Sequence, residues 1–68
     1  MAGMTRNQAR HLLALEAFLA EQYGRRCELA MGNGDVEAAR GWNRAYRVSA
    51  ARCRALGALV RDERATAG

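Results

Sequence analysis

The stretch Met31-Gly32-Asn33-Gly34-Asp35-Val36 carries the only clear turn signal in this 68-residue chain. Either glycine can take the left-handed backbone that ends a helix. Asn33 or Asp35 can then cap the next helix, with Glu37 favourable in its first turn. The chain has no proline, so nothing else interrupts the flanking segments as strongly.

Both flanking segments are helical in pattern. Upstream, Leu12, Leu15, Leu19, Tyr23 and Ala30 recur at three-, four- and seven-residue spacings, which is one face of a helix. Phe18 and Leu29 widen that face on one side and Cys27 on the other. Arg6, Arg10, Glu21, Arg25 and Glu28 fall opposite. Thr5 or Asn7 can cap the start, and Gly24 weakens the interior by roughly 1 kcal/mol relative to Ala. Downstream, Ala39, Trp42, Tyr46, Ser49, Ala50, Cys53, Leu56 and Val60 share one face. The expected fold is therefore all-α: one domain over residues 1–68, with a helix over about 5–31, a turn at 32–35 and a helix over about 36–64. Folded back on each other, the arms place Trp42 near Tyr23 and Arg26, Tyr46 near Leu19 and Gln22, and Leu56 near Leu12. Alanines dominate the second arm and allow close approach.

Gly34-Asp35-Val36-Glu37-Ala38-Ala39 is similar to the inter-helix turn of tetratricopeptide repeats, and Tyr23 falls where such repeats carry an aromatic residue. The resemblance covers one turn of a single unit and implies a helix-turn-helix hairpin. Arg26, Cys27 and Tyr46 depart from the repeat pattern.

Size bounds what such a hairpin can do alone. A compact monomer of 7.5 kDa buries on the order of 6,500 Å² on folding, worth about 100 kcal/mol if roughly 60% is apolar. Ordering the chain costs about the same, at roughly 1.5 kcal/mol per residue. Leu13, Leu29, Val48 and Leu59 also fall off the expected seam. Pairing of two hairpins into a four-helix bundle would cover them, so a homo-oligomer is expected. Leu12, Leu15, Phe18, Leu19, Tyr23, Trp42, Tyr46, Leu56 and Val60 are the expected core and oligomer interface.

Charge supplies the second clue. All 11 basic residues are Arg, against 7 acidic ones, for a net charge of +4 and a pI near 10.0. Such a balance favours an acidic partner. Arg40, Arg47, Arg54 and Arg61 repeat every seven residues and form a stripe drifting about 20° per heptad. Arg44 lies beside the stripe and Arg52 on another flank. No acidic residue occurs between Ala38 and Arg61. The ridge, about 32 Å long at 1.5 Å per residue, suits an acidic protein surface or, alternatively, the phosphates of a nucleic acid. It also suits Glu21, Glu28 and Asp35 of a second copy, which repeat with the same period. As a plain solvated face it would bind nothing.

Trp42, Tyr46 and Tyr23 form either a stacking platform beside Arg44 and Arg47 or the packed end of the hairpin; their inner-face positions favour packing. His11, the only histidine, has Ala14 and Leu15 at the positions where a metal-binding helix would place a second ligand. Cys27 and Cys53 lack metal-ligand spacing, and the expected register holds them about 20 Å apart, beyond disulfide reach. No nucleophile–base pair or phosphate-cradling loop is present. Enzyme activity, a cofactor, a metal and a small-molecule substrate are not expected. The apolar runs are too short to span a bilayer and no secretory signal is visible, so a cytoplasmic setting with no membrane partner is expected.

Overall fold

The computed structural model describes the backbone of residues 3–67 and the side chains of residues 3–61. Its two helices are α1 (Arg6–Gly32) and α2 (Val36–Ala67). They pack side by side as an all-α hairpin measuring 51 × 21 × 15 Å. Thr5 caps α1: its hydroxyl accepts from the Gln8 N–H at 3.1 Å, and the Gln8 Oε1 accepts from the Thr5 N–H at 2.9 Å. This reciprocal pair satisfies two backbone donors that the first turn would otherwise leave open. α2 runs to Ala67 rather than ending near residue 64. Ala65, Thr66 and Ala67 include no glycine or proline to stop it, and Gly68 lies outside the described residues.

The turn is built from two interlocked caps. Among the described residues Gly34 alone takes positive φ, at 76°; Gly32 stays helical. The Gly34 N–H donates to the Met31 carbonyl at 3.0 Å, and the Asp35 N–H reaches back to the Ala30 carbonyl at 2.8 Å. Together they close the C-terminus of α1 in a Schellman arrangement. The Asp35 carboxylate then accepts from the Ala38 N–H at 3.1 Å, and its carbonyl accepts from the Ala39 N–H at 3.0 Å. One residue thus ends α1 with its N–H and starts α2 with its oxygens.

The register across the hairpin is fixed by four contacts. The Cys27 thiol meets the Ala39 carbonyl at 3.4 Å. Tyr23 and Trp42 stack with centroids 5.9 Å apart, and the Arg26 guanidinium lies 5.1 Å from the Trp42 ring centre. Farther from the turn, Arg52 donates to Glu16 at 3.4 Å. Trp42 therefore lies beside Tyr23 and Arg26 as expected.

The seam itself differs from the expected one on α1. Its residues are Ala9, Leu13, Glu16, Ala20, Tyr23, Cys27 and Ala30, all buried or half-buried. Their spacing alternates four and three, as along a coiled-coil interface. Leu12, Leu15 and Leu19, expected at the centre, are 37%, 48% and 37% exposed, and Phe18 is 58% exposed. Tyr23, Cys27 and Ala30 lie on the seam as expected; over the first half of α1 the inward face lies about one residue, or roughly 100°, from the leucines. The physical reason is size. Among the described residues, the buried ones are Ala9, Ala30, Ala39 and Ser49, so the helices meet where side chains are shortest. The α2 face is as expected: Ala39, Trp42, Ser49, Cys53, Leu56 and Val60 are buried or half-buried, while Tyr46 is more exposed. The Tyr46 ring lies 3.6 Å from where a side chain on Gly24 would begin, so the ring packs over Gly24 and leaves space for a methyl group there.

Candidate interaction site

Two helices have one seam, and everything else faces outward in two directions. At about 100° per residue, Leu12, Leu15 and Leu19 sit roughly 70–120° to one side of the α1 seam. Val48 and Leu59 sit roughly 80–130° to one side of the α2 seam. Because the helices run in opposite senses, these two displacements point the same way. Two contacts agree with this sidedness: Arg52, which shares the Val48 side of α2, reaches Glu16, and Arg26, which shares the Leu15 side of α1, covers Trp42. The result is one broad apolar face, with Leu12, Leu15 and Leu19 alongside Val48 and Leu59. Phe18 turns farther away, onto the back of α1, and is more exposed; Leu29 continues the Leu15 stripe two heptads on, close to the turn.

A partly hidden ion pair interrupts this apolar side. Glu16 occupies a seam position, and its side chain is only 15% exposed against 63% for Arg52. One carboxylate oxygen, Oε2, accepts from Arg52; the other, Oε1, is buried without a hydrogen-bond partner. Sequence pattern misses Glu16, because an acid between leucines reads as an outward residue. The available signal was its place in the alternating four-and-three spacing from Ala9 to Ala30.

The arginine ridge lies on the other face. Arg40, Arg47, Arg54 and Arg61 sit roughly 110–150° from the α2 seam, away from Val48 and Leu59. Arg40 also borders a shallow notch with Cys27, Met31, Val36, Ala39 and Asn43. All four, and Arg44 beside them, are exposed. Among the described residues none of these five makes an ion pair. Arg61 folds back along the helix, its Nη1 3.6 Å from where a side chain on Gly57 would begin.

The acidic residues with the matching period are largely occupied. Glu21 pairs with Arg25 at 3.0 Å, and the Asp35 carboxylate caps α2. Glu21 and Glu28 also share the ridge side of the hairpin, so pairing of two copies through their apolar faces would not bring them to a ridge. The aromatic group near the turn is a packed stack rather than an open platform: Trp42 is half-buried between Tyr23 and Arg26.

Among the described residues no group of three or more His, Cys, Asp or Glu side chains is placed to hold a metal ion. His11 is exposed beside Leu12, Met4 and Gln8 in an open groove at the start of α1. Cys27 and Cys53 are free, half-buried thiols. Among the described residues no helix is long and apolar enough to cross a membrane. Comparison of the chain with protein-family models, curated proteins and solved structures finds no match.

Proposed function

We propose that this chain is a small non-enzymatic interaction module. Two hairpins pair through their apolar faces into a four-helix bundle, and the outward arginine ridges engage an acidic partner surface. The observation that carries this reading is the inversion of size with burial. The residues fully buried in one chain are small, while Leu12, Leu15, Leu19, Val48 and Leu59 stay exposed together. Area supports the same reading. The chain exposes 5335 Å², where a compact protein of its mass exposes about 4,250 Å². The excess is of the size that a standard interface removes from each partner, about 800 Å². Pairing by this face leaves both ridges free.

The same ridge, with no ion pairs of its own among the described residues, also supports a second reading, binding to nucleic-acid phosphates. Sedimentation equilibrium at micromolar concentration tests the first part of the proposal: the expected mass is that of at least two chains. Leu15→Asp with Leu59→Asp is expected to shift the population to monomer. A folded, strictly monomeric wild-type chain would overturn the bundle. Titration with an acidic protein and with oligonucleotides at two salt concentrations separates the two uses of the ridge.

A further inference from the structure

We infer that the ridge seats a single acidic α-helix whose carboxylates repeat every seven residues. This inference rests on the reading of the ridge as a site for an acidic protein partner, and names the shape of that partner. Three observations carry it.

The first is period. Arg40, Arg47, Arg54 and Arg61 follow one another at about 10.5 Å along a straight axis, with a drift of about 20° per heptad. A second helix with acids at heptad spacing has the same rise and the same drift, so shallow supercoiling keeps every pair in register. A duplex strand does not match this track. Arg40 to Arg61 spans about 32 Å, close to the roughly 34 Å of one turn of B-DNA. A phosphate strand therefore winds round the duplex while the ridge runs straight, and meets it at only a few points.

The second observation is the floor between the arginines. Ala50 and Ala51 separate Arg47 from Arg54, and Gly57 and Ala58 separate Arg54 from Arg61. Asn43 and Arg44 stand between Arg40 and Arg47, and the Arg61 guanidinium lies over Gly57, so the open floor is at Ala50 and Ala51, where a partner backbone can come close while Arg47 and Arg54 flank it. Small residues at a contact bring helix axes toward the short end of the usual 8–10 Å range.

The third is charge. The ridge arginines are exposed and make no ion pair among the described residues, while Arg25 and Arg52 do. Their charge is available for a partner, and a carboxylate accepts from a guanidinium through two parallel bonds.

The experiment uses the full chain and two stapled helical peptides of about 24 residues, long enough to cover the ridge. Both have the same composition, with four glutamates. One carries them at intervals of seven, and the other at intervals of five, which scatters them around the helix. The heptad peptide is expected to bind roughly tenfold more tightly, since it forms two or three more exposed ion pairs. Arg47→Gln with Arg54→Gln is expected to erase that preference. Arg10→Gln with Arg25→Gln, an equal loss of charge on α1, is expected to keep it. Helical circular dichroism is measured for every variant, so a folding defect is not read as lost binding. Equal binding of the two peptides would overturn the acidic-helix inference while leaving an acidic partner in place. Tighter binding of a phosphate oligomer of equal charge would overturn both. If neither peptide binds, the ridge is not a site for an acidic protein at all.

Discussion

Replacing Glu16 with leucine tests the seam directly. The side chain is 15% exposed, and its Oε1 is buried without a partner. A buried acceptor left unmade costs about 1–3 kcal/mol. Its bond to Arg52 returns little, because Arg52 is 63% exposed and pairs of that kind contribute about 0–1 kcal/mol. Leucine removes the orphaned oxygen and adds apolar burial of up to about 1.5–3 kcal/mol, reduced here by partial exposure. The alternating seam positions accept a leucine without a change of pattern. Glu16→Leu is therefore expected to stabilise the hairpin by about 2 kcal/mol, a rise in Tm of roughly 8–16 °C for a domain of this size. The assay is thermal and urea unfolding followed by circular dichroism and by Trp42 fluorescence. Chain concentration is held fixed, because association shifts apparent stability. Arg52→Ala in the wild-type background should cost about 1 kcal/mol and in the Glu16→Leu background almost nothing, because the charge that Arg52 answers is then gone. A destabilising Glu16→Leu would refute the reasoning: it would place Glu16 in solvent and return the seam to Leu12, Leu15 and Leu19.

Three further outcomes are expected. Gly24→Ala should raise stability by about 1 kcal/mol in the same unfolding assay, because the new methyl meets the Tyr46 ring at 3.6 Å, ordinary van der Waals contact. Gly34→Ala should lower stability by about 1–2 kcal/mol, because φ is 76° there; Gly34→Asn should recover part of the loss in urea unfolding, since Asn tolerates that conformation. Thr5→Ala should cost about 1 kcal/mol, and amide hydrogen exchange should quicken in the first turn of α1 and leave the residues near the 32–35 turn unchanged.

The division between local and tertiary information follows residue size. Helix ends were legible because they are local: Thr5 and Gln8, or Gly34 and Asp35, satisfy backbone groups within four residues of themselves, so their chemistry is visible in any short window. The ridge was legible for the same reason, since a seven-residue repeat of arginine defines a stripe on any helix. The inner face of α2 was legible because Trp42, Leu56 and Val60 leave its apolar stripe little choice of direction. The inner face of α1 was legible only toward the turn, at Tyr23, Cys27 and Ala30. Two stripes compete along the rest of α1, one rich in leucine and one rich in alanine, and pattern favours the larger side chains. Packing chose the smaller ones, because Ala9, Ala20 and Ala30 let the two helices approach closely while Tyr23 and Trp42 stack between the arms. That choice pushed Leu12, Leu15 and Leu19 out beside Val48 and Leu59, drew Glu16 in, and set the apolar face and the arginine ridge on opposite sides of the hairpin. Only the meeting of two helices decides such a rotation, since each stripe is equally compatible with its own helix.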